Sequence, residues 1–273
     1  MSHQDHADFS THDLPVVPTT QLSTASKLPL EIVEMIISHL IYDTRSLLAC
    51  SLTCYPWYIA SAPYLHRTLI VRFDDWPKPL RNASKFGLLP LVKKFCIHGS
   101  WTGYPFPPKR FNHQILRQIS GMTNIRELDI DDLDIPRFIP RARYYFGHFL
   151  PRLQSLCIKS PEGSCRQIIF FIGLFEYLQD LTLLEGTLGN WEHEPADDLT
   201  LTPPFSPPLQ GRLVMMYFVG AGFLENMIGL LGGVRFRYMD LFGPGDTQLL
   251  LYACAKTLET LRLYPADPWG EQL

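Results

Sequence analysis

Apolar side chains begin to recur at a helical spacing at Leu28, immediately after a polar stretch. Between Pro29 and Ile41 they return every three or four residues, while Glu31 and Glu34 lie elsewhere around the helix. This pattern is typical of an amphipathic helix with a broad apolar face. Pro29 suits the start of such a helix, because the amide hydrogen that proline lacks has no partner there. The first ordered element is therefore predicted to be a helix that starts just after Leu28.

Two more short helices are predicted directly after the first. Asp43 or Thr44 can cap a second helix of residues 45–54, since a short polar side chain accepts hydrogen bonds from the amides of a first turn. A third helix begins near Pro56 and ends at Pro63. Three helices this short enclose too little volume to bury all of their apolar side chains. We therefore expect part of that apolar surface to contact another molecule.

The order of these features over residues 28–71 resembles an F-box. A Leu-Pro pair opens the segment, an acid and an aliphatic helix follow, and a leucine-rich second helix comes next. Trp57 then lies shortly after Cys54, and the closing run PYLHRTLIV is similar to the usual exit into a first strand. His39 departs from the pattern, and its apolar surroundings tolerate it only on the exposed side of the helix.

The resemblance to an F-box implies a binding role. Members of this family usually bind the small adaptor subunit of a cullin–RING (SCF-type) ubiquitin ligase, and through it the cullin, while their C-terminal domain holds a protein substrate. Ile36 and Leu52 are equally suited to filling the core of the F-box itself. The positions that the resemblance assigns to the adaptor surface are Leu28, Pro29, Ile32, Ile36, Leu40, Leu47, Leu48, Leu52 and Trp57.

Beyond residue 71 a second pattern repeats, with apolar residues at positions x, x+3 and x+5. The starts of these matches are 22 to 35 residues apart, close to the leucine-rich period of roughly 20–29 residues. The longest intervals contain proline-rich insertions at 101–110 and 191–210. We predict one parallel strand per repeat, lining the concave side of a short solenoid. The matches start at Val92, Ile125, Leu153, Leu178, Leu213, Phe236 and Leu258.

These patterns predict an α/β protein with three regions. Residues 1–26 form a flexible tail, residues 27–71 a three-helix F-box, and residues 72–273 a short leucine-rich-repeat solenoid with a parallel sheet. The whole chain thus resembles F-box proteins of the fungal type that carry irregular leucine-rich repeats. No catalytic residue, metal site or cofactor site is assigned.

Strand alternation predicts which side chains face a partner. If x, x+3 and x+5 point into the core, then x+2, x+4 and x+6 point to the concave face. In the fifth repeat this rule assigns Met215, Tyr217 and Val219 to that face. Tyrosine, tryptophan and arginine dominate binding hot spots, so the C-terminal repeats are the predicted substrate site. The residues assigned to substrate binding are Tyr217, Tyr238, Asp240, Phe242, Arg262 and Tyr264.

Composition narrows the class of partner and the compartment. The formal net charge is −3, which provides no electrostatic reason to expect nucleic acid or an anionic membrane. The most apolar run, residues 168–175, is far shorter than the roughly 20 residues that span a bilayer. The six cysteines lack zinc-site spacing, and we interpret them as reduced thiols. We expect a cytoplasmic or nuclear protein that binds a protein substrate of unknown identity.

Two alternatives to a ubiquitin-ligase adaptor remain open. In the first, the protein is a leucine-rich-repeat scaffold unconnected to ubiquitylation, and its N-terminal helices cap the solenoid. In the second, Gly220 and Gly222 lie between an apolar strand and a helix, with Asp240 further on, as in a dinucleotide-binding enzyme. Glu225 occupies the position of the third glycine, where its charge would oppose a phosphate. The enzyme is therefore the weaker alternative.

Overall fold

The computed structural model divides the chain into two compact units, Met1–Leu65 and His66–Leu273. The first is helical and is called the helical unit. The second contains the sheet and is called the sheet unit. The structure describes residues 24–72, 77–99, 120–132, 152–161, 164–185, 208–216, 223–230, 233–242 and 247–264.

Three α-helices build the described part of the helical unit, after a 3-10 turn at Thr24–Lys27. The Asp43 side chain accepts hydrogen bonds from the amides of Arg45 and Ser46, so its predicted capping role is confirmed. The Trp57 indole donates to the carbonyl of Ala25 over 3.0 Å and ties the 3-10 turn to the third helix. The helices are α1 (Leu30–His39), α2 (Thr44–Ser51) and α3 (Tyr55–Leu65).

The prediction that Pro63 ends the third helix is wrong, because α3 continues to Leu65. A proline inside a helix removes the hydrogen bond to the carbonyl four residues earlier, here that of Ile59. Pro63 lies in the last turn, so α3 gives up a single bond of its ladder.

One small cluster of apolar side chains holds the three helices together. Val33 and Ile37 of α1, Leu47 of α2 and Ala60 of α3 are buried in it. Each helix thus contributes at least one buried side chain. The partly buried side chains that pack against this cluster are Leu40, Cys50, Trp57 and Leu65.

The sheet unit contains one eight-stranded sheet in which every strand is parallel to its neighbour. The strand order follows the chain, so each strand pairs with the next one in sequence. The predicted mixture of helices and a parallel sheet is confirmed. The strands are β1 (Thr68–Arg72), β2 (Lys94–His98), β3 (Glu127–Asp131), β4 (Ser155–Lys159), β5 (Asp180–Leu184), β6 (Leu209–Met216), β7 (Val234–Phe242) and β8 (Thr260–Tyr264).

The described helices of the sheet unit pack against one side of the sheet, and together they form a single core. Among them, the helix at residues 165–172 starts with a capping box between Ser164 and Gln167. Its aliphatic and aromatic side chains are almost all buried. These helices are α4 (Pro77–Lys85), α5 (Cys165–Ile172), α6 (Phe223–Leu230) and α7 (Gln248–Cys254), with a 3-10 turn at Leu89–Leu91.

Two apolar rows run across the sheet on its core side, since alternate residues of a strand point to the same face. At β8 the cover is thin, and Leu263 is 62% exposed. The first row contains Leu69, Phe95, Leu128, Leu156, Leu181, Leu213, Met239 and Leu261. The second row contains Val71, Ile97, Ile130, Ile158, Leu183, Met215, Leu241 and Leu263.

The backbone repeats the same hydrogen bonds from strand to strand. The carbonyl of Arg67 accepts the amides of Lys93 and Lys94 at 2.8 and 3.0 Å. The carbonyls of Lys93, Arg126 and Gln154 each accept two consecutive amides of the following strand in the same way. After β3, β4 and β5 the chain turns through a non-glycine residue with positive φ, at Asp132, Ser160 and Glu185. One local geometry therefore recurs along the sheet.

The predicted register of the fifth repeat is wrong. Leu213 and Met215 pair with Leu181 and Leu183, so Met215 belongs to the core side and Met216 to the opposite face. Leu213 begins a run of seven apolar residues, so the x, x+3, x+5 pattern fits more than one register there. Strand pairing decides between the registers. Tyr217 and Val219 lie outside the described residues.

Strand β6 begins at Leu209, inside the range predicted as an insertion. Pairing with β7 shifts between Gly211 and Arg212, where Arg237 is passed over. Gly211 has φ +96°, and a Cβ there would lie 2.1 Å from the Gln179 carbonyl oxygen. Only glycine fits this close approach of two backbones. The irregularity at Gly211 therefore helps to set the register of the last three strands.

Candidate functional site

The helical unit exposes more large apolar side chains than it buries. Each short helix buries at least one apolar side chain in the small core and exposes others. Leu52 is 85% exposed and therefore does not fill the core, while Ile36 is half-buried. The exposed apolar set of this unit is Leu28, Leu30, Ile32, Met35, Ile41, Tyr42, Leu48, Leu52, Tyr55, Tyr58, Ile59 and Tyr64.

Eight of the nine residues predicted to contact the adaptor are exposed or half-buried. Exposed positions are Leu28, Pro29, Ile32, Leu48 and Leu52, and half-buried positions are Ile36, Leu40 and Trp57. His39, the departure from the family pattern, is exposed as expected.

Leu47 requires a correction, because it is only 2% exposed. Its side chain fills the core of the helical unit and offers no contact surface. Leu47 and Leu48 are consecutive helical residues, so their side chains point about 100° apart around α2. The sequence shows two adjacent leucines, but only packing against α1 and α3 decides which one faces inward.

The sheet presents three rows of side chains opposite the core, here called the polar face. The first row is Thr68, Lys94, Glu127, Ser155, Asp180, Arg212, Tyr238 and Thr260. The second row is Ile70, Cys96, Asp129, Cys157, Thr182, Val214, Asp240 and Arg262. The third row is Arg72, His98, Asp131, Lys159, Leu184, Met216, Phe242 and Tyr264.

Acids dominate the polar face near its middle strands. Lys94 Nζ lies 3.0 Å from Asp129 Oδ2. Burial lowers the pKa of Lys94, but the hydrogen bond and charge of Asp129 outweigh it and raise the pKa overall. Burial, followed by the charge of Asp129, raises the pKa of Cys96 to about 11 and that of Cys157 to about 12. Both thiols are therefore protonated at neutral pH.

Arginine and aromatic side chains dominate the other end of the polar face, on β6, β7 and β8. The Asp240 carboxylate is nearly buried, accepts a hydrogen bond from Arg212, and lies 3.9 Å from the Nε atom of Arg262. The rings of Phe242 and Tyr264 stack in parallel, with centroids 4.0 Å apart. These contacts form a compact group of charged and aromatic side chains.

Five of the six residues predicted to bind substrate belong to this group: Tyr238, Asp240, Phe242, Arg262 and Tyr264. The Tyr238 hydroxyl donates to Glu259 over 2.8 Å, and this bond raises the pKa of Tyr238. Tyr217, the sixth, lies outside the described residues. Sequence reasoning missed Arg212, although the correct register of β6 would have placed it on the same face.

Among the residues that the structure describes, no three His, Cys, Asp or Glu side chains are grouped to hold a metal ion. In the same ranges, no helix has both the length and the apolar character needed to cross a bilayer. Gly220 and Gly222 lie outside the described residues. Asp240, the acid that a dinucleotide site would use for ribose, has both carboxylate oxygens engaged by arginines.

Comparison with known proteins identifies the class of the N-terminal region. Residues 25–72 match the F-box-like family, from the 3-10 turn through β1. The chain therefore contains an F-box-like domain, which confirms the resemblance over residues 28–71. F-box domains bind the small adaptor subunits of SCF-type ubiquitin ligases, so this domain indicates an adaptor role of that general kind. No curated protein matches the chain.

Proposed function

We propose that this protein is the substrate-recognition subunit of a cullin–RING (SCF-type) ubiquitin ligase. The F-box-like domain binds the adaptor subunit, and through it the cullin. The sheet unit is a short leucine-rich-repeat solenoid that holds a protein substrate on its polar face. The protein makes and breaks no bonds itself, because holding a substrate beside the ligase turns the transfer step into a nearly intramolecular one.

The apolar surface of the helical unit carries the adaptor part of the proposal. Leu28, Ile32 and Leu48 are each exposed by more than a third, and Leu52 by 85%. Burying a fully exposed side chain of this size is worth roughly 1.5–3 kcal/mol, so each of these side chains leaves part of that stabilisation available to a partner. Exposed apolar surface on this scale marks a binding site in a soluble domain. The family match over the same residues supplies the class of partner.

The repeated geometry of the sheet unit supports the solenoid part. Every strand is parallel to the next, and the same paired hydrogen bonds recur before β2, β3, β4 and β5. In a repeat protein each unit contacts mainly its neighbours, which produces this sequential order. We further propose that the chain is an F-box protein of the fungal type with irregular leucine-rich repeats. We also propose that it is located in the cytoplasm or the nucleus.

The engagement of Asp240 favours a binding surface over the dinucleotide-dependent enzyme. The Asp240 carboxylate already accepts a hydrogen bond from Arg212 and lies 3.9 Å from the Nε atom of Arg262, and taking it for a ribose would weaken both ion pairs. The charged and aromatic side chains around it are of the types that dominate protein interfaces.

The test is co-purification of the full chain with the adaptor subunit of an SCF ligase. The variant carries Leu28→Ala and Pro29→Ala, since both residues are exposed and precede α1. We expect adaptor binding to weaken at least about tenfold, since two apolar contacts are removed. The matched control carries Leu249→Ala and Tyr252→Ala, two exposed apolar residues of α7 in the sheet unit.

Adaptor capture by the wild type and the control, but not by the variant, would support the proposal. A well-folded wild type that captures no adaptor would contradict it and leave a repeat scaffold unconnected to ubiquitylation. Circular dichroism of each protein shows whether it is folded.

A further inference from the structure

We propose that the partner segment held by the polar face is acidic, with a carboxylate beside an apolar or aromatic side chain. This inference rests on the proposed function and specifies the chemistry of its substrate. The carboxylate would bind the arginine clamp, defined as Arg212, Asp240 and Arg262. The apolar side chain would lie against the aromatic stack, defined as Phe242 and Tyr264.

The clamp carries one more positive charge than negative. The Asp240 side chain is 11% exposed, whereas those of Arg212 and Arg262 are 50% and 62% exposed. The single negative charge is therefore shielded beneath two guanidinium groups that reach solvent. Nearby, Arg237 lies 3.7 Å from Glu259 and offsets its charge. Asp180 lies beside Arg212 across β5 and β6, but β7 also carries the exposed Arg235, so the excess remains positive.

Most donors of the clamp are not used by Asp240. A guanidinium group has five N–H donors in a rigid plane. Arg212 donates to one carboxylate oxygen, and Arg262 lies beyond hydrogen-bond distance of the other at 3.9 Å. A carboxylate from outside can accept two parallel N–H bonds from such a group, and these are stronger than neutral hydrogen bonds. Asp240 acts as a positioning residue, because it holds both arginines before a partner arrives.

The aromatic stack lies in the row next to the clamp. Phe242 and Tyr264 are each two residues beyond Asp240 and Arg262, which is roughly 6.6 Å along the strands. Tyr264 is partly exposed, and the parallel packing of the two rings limits their motion. A partner with its acid and its apolar residue within two positions of each other matches this spacing.

The remainder of the polar face opposes an acidic partner. On β2 to β5 its rows carry two lysines, Lys94 and Lys159, against four acids, Glu127, Asp129, Asp131 and Asp180. Like charges across an interface disfavour binding and determine its register. An acidic segment is therefore directed to β6, β7 and β8. Salt should weaken the contact, since the arginines are exposed.

The test measures binding of fluorescent peptides to the full chain by anisotropy. The probe is a peptide of about 12 residues with Gly and Ser flanks and a core in which Glu alternates with Phe. Three matched probes replace Glu by Lys, Glu by phosphoserine, or Phe by Ala. The variant is Arg262→Gln, and its control is Arg81→Gln, an exposed arginine on α4.

We expect the Glu/Phe probe to bind at least about tenfold more tightly than the Lys and Ala probes. Arg262→Gln should weaken it by about tenfold and reduce its salt dependence, while Arg81→Gln leaves it unchanged. Equal binding of the Lys probe, or of the Arg262→Gln variant, would overturn the proposal. Binding of the phosphoserine probe alone would also overturn it, because the site would then select phosphate.

Adaptor capture by the same proteins separates this inference from the proposed function. Loss of peptide selectivity with adaptor capture intact would remove the acidic partner and leave the F-box role standing. Peptide selectivity without adaptor capture would sustain the acidic partner and remove the ligase role.

Discussion

The helical unit and the sheet unit use apolar side chains in opposite proportions. Among the described residues, the helical cluster buries four apolar side chains, whereas twelve large ones are exposed in that unit. The sheet core buries 34, and nine large ones are exposed. A small helical domain cannot enclose its own apolar surface, while an eight-stranded sheet covered by helices can. The helical unit therefore leaves apolar surface unburied, whereas the sheet unit places polar groups on a self-sufficient core, and we propose that each binds its partner through that surface.

The largest effect should distinguish core from surface within the helical unit itself. We predict that Leu47→Ala costs about 3 kcal/mol of unfolding free energy, since this side chain is 2% exposed. Leu48→Ala should change stability by less than about 0.5 kcal/mol, because Leu48 is half exposed. Hydrogen exchange of the α1 to α3 amides measures both, and Leu47→Ala should speed it roughly a hundredfold.

Leu48→Ala should instead weaken adaptor capture. If Leu47→Ala and Leu48→Ala lowered the unfolding free energy equally, the prediction that only Leu47 is buried in α2 would be wrong.

A smaller effect should follow from removing the buried charge of the polar face. We predict that Asp240→Asn lowers the unfolding free energy by about 2 kcal/mol, because Arg212 and Arg262 lose the carboxylate between them. Asp180→Asn, an exposed acid on the same face, is the control and should change stability by less than about 0.5 kcal/mol. Urea unfolding of each protein checks this, and a fully stable Asp240→Asn protein would mean that the two arginines do not depend on the acid.

The smallest effect concerns the two thiols of the polar face. Burial raises the pKa of Cys96 from 9.0 to about 11 and that of Cys157 from 9.0 to about 12. The unfolded chain then releases these protons before the folded chain does. Stability is therefore complete below about pH 9 and falls as pH rises towards the folded values, by roughly 1 kcal/mol per thiol near pH 10.

Urea unfolding at several alkaline pH values measures this slope in the wild type and in a Cys96→Ala, Cys157→Ala variant. The variant should lose stability less steeply. Cys254 also has a raised pKa, but it is present in both proteins and its effect cancels. The charge of Cys96 contributes to the raised pKa of Lys94, so the slope includes this coupling as well. Identical slopes would show that the thiols titrate at their ordinary values in the fold.

Local patterns predicted the elements well where one register was available. The apolar positions at 125, 128 and 130, and at 153, 156 and 158, gave buried rows with polar neighbours in the alternate positions. Asp43 was predicted as a helix cap because capping needs only adjacent residues. The predicted register of the run that starts at Leu213 was wrong because seven consecutive apolar residues satisfy several registers. The prediction that Pro63 ends α3 was wrong because the free-energy cost of a proline in a helix is smaller near the helix end.

In the candidate site as well, local patterns predicted some residues and only strand pairing revealed another. Tyr238, Asp240, Phe242, Arg262 and Tyr264 followed from alternation within single strands. Arg212 required the pairing of β6 with β7, and it changes Asp240 from an exposed acid into the centre of a clamp. No local pattern could predict that, because the two residues are 28 positions apart and meet only through strand pairing.

The sequence by itself determined the kinds of element, the F-box-like order of the first helices and the excess of apolar side chains in them. These depend on spacing along a single helix or strand, which is a property of neighbouring residues. Only the tertiary structure decided that Leu47 faces inward while Leu48 faces out, and that β6 is aligned so that Arg212 reaches Asp240. Such choices depend on which distant segments pack together, because burial and strand pairing are energies shared between segments.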